Sequence, residues 1–144
     1  MSALLPFETA QTVARDWLCA FSSAVRARDD EGGRALFSPH VVAFGTFSPT
    51  LCGLDDLEAN QWRHIWENTR DFEFEFGSLQ SGGCADFLWV AARWNSYGQT
   101  HDGESFLRTG RATFALQKCG EKWLAVHSHH SLDPRKSDDF PLPR

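Results

Sequence analysis

The chain has one tyrosine and one methionine in 144 residues, no C-x-x-C pair, no run of basic residues and no long apolar stretch. Each absence excludes something. A membrane-spanning helix needs about 18 or more consecutive apolar residues. Without clustered lysine and arginine, and with a formal net charge of −5, the electrostatic footprint of a nucleic-acid or anionic-membrane binder is missing. Neither nucleic acid nor a membrane is therefore expected as a partner. Cys19, Cys52, Cys84 and Cys119 are widely separated, which suits reduced thiols better than a disulfide framework. Met1 to Pro6 has no basic n-region and no sufficient apolar run, so a cytoplasmic setting is expected. No Gly-rich loop, H-R-D or D-F-G marks a kinase catalytic core.

In place of tyrosine the chain carries six tryptophans and twelve phenylalanines. That composition predicts a core of large apolar plates. The length suits one domain over residues 1–144, with a core at about 9–133 and a proline-rich, charged tail over 134–144.

Val13, Trp17, Phe21, Ala24 and Val25 recur at helical spacing, which predicts a helix from Thr9 to Arg28 with Thr9 as its N-cap. Asp30 is expected to cap a short second helix. Val41 to Phe47 reads as a strand, with a turn at Ser48-Pro49 and a short strand near Leu51-Cys52. Gly53 opens a third helix to about Asn68. On a 100° wheel its apolar arc includes Glu58 and Gln61, which sit at a solvent edge or enter a cavity. Asp71 to Gly77 alternates, with Phe72, Phe74 and Phe76 inward and Glu73 and Glu75 outward. Ser81-Gly82-Gly83 is expected to turn the chain into a strand over Asp86–Ser96. Thr109–Gln117 and Trp123–Ser131 then form a hairpin around Gly120. Helices first and long strands last is an α+β order.

Gly110-Arg111-x-Thr113, followed by Trp123-x-x-Val126-His127-Ser128-His129-x-Ser131, resembles the C-terminal hairpin of SnoaL-like domains in the NTF2-like superfamily. Phe44-Gly45-Thr46 followed by Gly53 resembles the same family's strand, turn and glycine before helix three. The resemblance covers roughly Thr9 to Asp133. It implies an α+β cone: three N-terminal helices packed in a strongly curved mixed or antiparallel sheet, with a small-molecule cavity. The chain is also similar to the association domain of calcium/calmodulin-dependent protein kinase II, whose pocket arginines Arg93 matches by strand position. Homodimers through the convex sheet face are common in the superfamily.

Which sheet face is concave has two readings. In the first, Trp89, Arg93, Arg111, Thr113, Trp123, His127 and His129 face the cavity, with Trp17 beside them. The apolar residues Leu88, Val90, Phe114, Leu116, Leu124 and Val126 then form a convex dimer interface, because such a patch is not left in water. In the second, the apolar faces form the core and the histidines and arginines face solvent. The first predicts a pocket for a small organic anion held by Arg93 and Arg111, since a buried guanidinium needs an anion or several acceptors. Tryptophans would pack the ligand's body.

His127 and His129 lie about 7 Å apart on one strand face. As hydrogen-bonding residues they suit a pocket or interface. As acid–base groups they would serve an isomerase, cyclase or hydrolase. As metal ligands they lack placed partners, so no metal and no cofactor are expected. The ketosteroid isomerase-like carboxylate and tyrosine positions are unmatched: the first strand carries no acid, and helix one has Trp17 and no tyrosine. Catalysis is thus not evident, and a binding domain is the leading reading.

Overall fold

The computed structural model describes residues 3–134. The expected tail over 134–144 lies outside the described residues except for Pro134. Helix α1 (Phe7–Ala27) buries Ala10, Ala14, Trp17, Leu18, Phe21 and Val25 on one stripe, as its period of three to four requires. It starts directly after Pro6, so Thr9 lies within its first turn and does not cap it. Arg28 closes the helix in a left-handed conformation (φ 53°). Its guanidinium donates to the Trp66 carbonyl at 2.9 Å, tying α1 to the third helical segment. The cap of α2 (Asp30–Arg34) is Asp29 rather than Asp30; its carboxylate accepts from the Gly32 N–H at 3.0 Å.

That third segment is continuous but not uniform. It runs as α3 (Leu54–Leu57), a π-helical turn (Glu58–Trp62) and α4 (Arg63–Glu67). The wider turn rotates the residues after it relative to a 3.6-residue wheel. Trp62 and Trp66 stack against each other at 4.7 Å and close the core beside Phe21.

The strands are β1 (Phe37–Phe44), β2 (Leu51–Cys52), β3 (Thr69–Cys84), β4 (Phe87–Gln99), β5 (Ser105–Cys119) and β6 (Lys122–Leu132). They form one sheet in the order β2-β1-β6-β5-β4-β3. β1 and β6 are parallel and the other neighbours antiparallel, giving the mixed sheet of the cone. Irregularities bend it. β3 shifts register against β4 between Arg70 and Glu73, where Asp71 has φ 57°, and again between Glu75 and Gln80. Ser78 braces the second shift: its hydroxyl donates to Glu75 O at 2.6 Å and accepts from Arg93 N–H at 2.9 Å. Such bulges bend and twist a strand. They carry β3 through the expected turn at Ser81-Gly83 and on to Cys84, which pairs with Phe87.

The second reading of the sheet faces is the correct one. Leu88, Val90, Ala92 and Trp94 on β4 and Ala112, Phe114 and Leu116 on β5 are buried against α1; Trp17 and Phe114 lie 4.7 Å apart. The apolar residues expected to form a convex dimer patch are therefore this chain's own core, apart from half-buried Leu124 and Val126. Phe72 and Phe74 are buried as expected, while Phe76 is half-buried under the Arg15 guanidinium at 4.6 Å. β6 changes phase midway. Leu116 pairs with Ala125 but Ala115 pairs with His127, so Val126 is an extra residue. Before this bulge Ala125 faces the core; after it Ser128 and His130 do.

Candidate functional site

A small cavity of about 30 Å³ lies between the third helical segment and the inner face of the sheet. That is the space of about one water molecule. Apolar walls come from Phe21, Trp62, Ile65, Trp66 and Phe72, and polar groups from Thr46, Gln61, Arg108 and His130, with Trp94 contributing an indole.

Arg108 on β5 is the unusual member. It is only 7% exposed. Its guanidinium reaches Ser96 Oγ at 3.5 Å and Thr46 Oγ1 at 3.3 Å, both long. It lies 5.4 Å from the Trp94 ring and 5.8 Å from the Phe47 ring. Among the described residues no carboxylate forms an ion pair with it. A guanidinium has five N–H donors, so most of its capacity is unused. Burial pushes its pKa down from the ordinary arginine value.

Three neighbours in the lining also carry a buried polar atom without a partner: Gln61 Oε1, Trp94 Nε1 and His130 Nδ1. Gln61 reaches this place because the π-helical turn directs it inward and because residue 45 is glycine. A Cβ at Gly45 would overlap the Gln61 amide. His130 is surrounded by Phe21, Phe72, Trp94 and Phe114, with ring centroids 5.4–6.4 Å away. Its pKa is pushed down to about 4, first by burial and then by the charges of His129 and Arg108. The imidazole is therefore neutral at neutral pH. Ser96 and Ser128, fully buried on β4 and β6, complete a polar strip inside an aromatic shell.

Beyond Arg108 the site opens into a vestibule of about 320 Å³, lined by Phe47, His64, Ile65, Asn68, Thr69, Gly98, Gln99, His101, Phe106 and Arg108. Among the described residues no carboxylate lines either space.

The site residues expected from the sequence are elsewhere. Trp89 pairs with Ala115, Ala115 with His127, and His127 with Val42. Thr113 likewise pairs with His129 and His129 with Phe44, while Arg93 pairs with Arg111. These residues do share one face, but it is the outer one, and their placement in the cavity is corrected. Arg93 is 43% exposed and bridges Glu75 at 3.4 Å and Asp133 at 2.7 Å. The Asp133 contact holds the Arg93 pKa above its ordinary value and that of Asp133 below. His127 places Nδ1 2.8 Å from the Val42 carbonyl, and Phe44 packs between His127 and His129. Trp17 is core, with Nε1 donating to Leu36 O at 3.3 Å. Trp123 lines a separate groove beside Trp17, because the β6 bulge parts it from His127 and His129. Glu58 does not enter the cavity; it pairs with Arg63 at 3.2 Å and Arg34 at 3.8 Å. Among the described residues no three His, Cys, Asp or Glu side chains gather as a metal site, and no helix is long and apolar enough to cross a membrane.

The sequence reading left Gln61 between a solvent edge and a cavity, and it missed Arg108, His130, Thr46 and Trp94 as site residues. A signal for Arg108 was present: it has the same even-numbered phase as Gly110, Ala112, Phe114 and Leu116. Beginning the strand at Thr109 left it out.

Residues 15–134 match the SnoaL-like domain family, whereas no functionally curated protein matches the chain. Solved structures agree on the fold. An NTF2-like superfamily protein from Salmonella enterica superposes with a TM-score of 0.77 at 15% identity, covering 92% of this chain and 97% of that one. A ketosteroid isomerase-like protein from Erwinia carotovora gives 0.71 at 18% identity, over 87% and 97% of the two chains. A candidate calcium/calmodulin-dependent protein kinase II association domain from Xanthomonas campestris gives 0.67 at 18%, over 83% and 82%. The family match spans most of the cone-shaped fold that these structures share: the chain belongs to the SnoaL-like domain family.

Proposed function

We propose that this chain is a binding domain for a small organic anion, held at Arg108 rather than at Arg93 and Arg111. The observation that carries the reading is a buried guanidinium without a carboxylate partner among the described residues, beside the Trp94 indole N–H, which has no partner among them either. A charge taken out of water without a partner is costly; an incoming carboxylate would relieve that cost and accept from both groups. The alternative, a ketosteroid isomerase-like isomerase, cyclase or hydrolase using histidine, now rests on His130 instead of His127 and His129. An imidazole depressed to about 4 is a weak base at neutral pH. With no carboxylate among the described lining residues, binding is favoured over catalysis.

A thermal-shift screen of small carboxylates tests this. It is expected to find a stabiliser of the wild type whose effect vanishes in Arg108→Met and persists in Arg93→Met. Equal stabilisation by neutral isosteres would count against an anion site.

We also propose a homodimer through the outer sheet face. Trp89 is 48%, Val42 40% and Phe44 38% exposed there, and the strand register joins them across β4, β5, β6 and β1. Analytical ultracentrifugation should show a dimer that Trp89→Glu converts to a monomer. A wild-type monomer at micromolar concentration would reject this assembly.

A further inference from the structure

The two spaces at Arg108 differ in size in a way that constrains the ligand. The inner cavity, at about 30 Å³, has no room for an organic body. The vestibule, at about 320 Å³, falls at the low end of ordinary small-molecule pockets. Arg108, Ile65 and Thr69 line both, and among these three only Arg108 carries a charge. A ligand entering from outside therefore passes a mixed lining, with Phe47, Ile65 and Phe106 among the polar His64, Asn68, Gln99 and His101, before it meets the guanidinium.

The aromatic part of that lining offers a surface to an apolar group. Phe47 is 67% and Phe106 45% exposed. Phe106 packs over Gly98, where a Cβ would strike its ring. Phe47 stands edge-on to His64 at 6.1 Å and within cation–π distance of Arg108. The Phe47 loop is fixed to the π-helical turn by a hydrogen bond from Ser48 Oγ to Asn60 O at 3.2 Å. Exposed aromatics around a concave space with one buried cation at its end match an amphipathic anion.

Resting on the anion-binding reading above, we infer that the ligand is an apolar monocarboxylate, aryl or branched aliphatic. Its carboxylate reaches Arg108 and its body lies in the vestibule between Phe47, Ile65 and Phe106. The binding step is non-covalent, and the vestibule rather than the inner cavity sets specificity.

The test is isothermal titration of the full chain with acetate, phenylacetate, phenylacetamide and succinate. Phenylacetate is expected to bind at least about tenfold tighter than acetate, from the apolar area its ring removes from water. That preference should shrink in both Phe47→Ser and Phe106→Ser, two exposed positions where the fold tolerates a polar residue. If acetate or succinate binds as tightly as phenylacetate, or if both serine variants keep the preference, the vestibule assignment fails while an anion site at Arg108 stands. If phenylacetamide binds as well as phenylacetate, or Arg108→Met binds phenylacetate unchanged, the anion site itself fails. No binding by any of the four overturns both.

Discussion

Arg93 and Arg108 stand on adjacent strands and face opposite sides of one sheet. Arg93, on the outer face, is half in water and has two carboxylates within 4 Å. Arg108, on the inner face, is buried and has hydroxyls and aromatic rings instead. Their environments push them in opposite directions: Asp133 raises the Arg93 pKa, and burial lowers that of Arg108. The number of ion pairs is thus a poor guide to which arginine has a task. On the outer face water already solvates the charge, so its partners add little. On the inner face no carboxylate among the described residues neutralises it, so a complementary ligand gains most there.

The largest expected difference is in ligand binding. Removing one partner of a buried charged hydrogen bond costs about 2–5 kcal/mol. Titration of Arg108→Met with phenylacetate should lose affinity by that amount, while Arg93→Met keeps the wild-type value. Equal losses in the two variants would break the comparison.

His130 sharpens it through pH. Its folded pKa of about 4 lies below the ordinary histidine value of 6.5. Between those values the unfolded chain binds a proton that the folded chain refuses, so stability rises with pH across the window. The contribution is fully present above about 6.5, is lost as pH falls toward 4, and changes no further below that. Nδ1 is closed to solvent, but the residue as a whole is only half-buried, so water relaxes part of the penalty. About 2 kcal/mol is a fair expectation. Urea denaturation at pH 7, 5.5 and 4.5 should show this loss in the wild type and a flatter profile in His130→Phe. A wild-type profile as flat as that of the variant would mean that the ring is solvated.

The fold was legible because long periodic segments survive local irregularity. The α1 stripe, the alternation of Phe72 and Phe74, and the hairpin around Gly120 all follow from spacing. The site was less legible for three physical reasons. Alternation tells which residues share a face but not which face is inside; Trp89, Arg111, Thr113 and His129 were grouped correctly and placed on the wrong side. The extra residue at Val126 reverses the phase of β6, which separated Trp123 from the histidines; His130 was left out by the choice of face. The π-helical turn defeats a 100° wheel, so Gln61 and Glu58 fell in one arc although one is inside and the other pairs with surface arginines. Tertiary contacts set all three.

Without ligand the buried arginine should be a burden. Replacing buried charged groups by apolar residues of similar volume is often stabilising, by about 1 kcal/mol or more. Arg108→Met should therefore raise the apoprotein's Tm even as it abolishes binding. A Tm drop would instead make Arg108 a structural residue, satisfied by Ser96 and Thr46 better than their long contacts suggest.

The smallest effect belongs to Arg93. Its partner Asp133 accepts from Arg93 at 2.7 Å and from Thr109 Oγ1 at 2.7 Å, and both bonds favour the carboxylate over the acid. The sign is the same as that of His130, since both folded pKa values are depressed and stability rises with pH through each window. Asp133's folded pKa lies below the ordinary aspartate value of 3.8, so its stabilisation is present above that value and is lost as pH falls through the folded pKa. Its window thus lies at more acidic pH than that of His130, and the two can be separated in one acid titration. Arg93→Met should lower Tm less than Arg108→Met raises it, and the change should shrink in 1 M salt, where exposed charges are screened beyond about 3 Å. Asp133→Asn should flatten the acid limb below pH 4 without touching the slope between 4 and 6.5. If Arg93→Met instead lowers Tm by more than Arg108→Met raises it, the outer network holds the sheet edge to the chain's last described residues more firmly than its exposure implies. The contrast between the two arginines would then reverse.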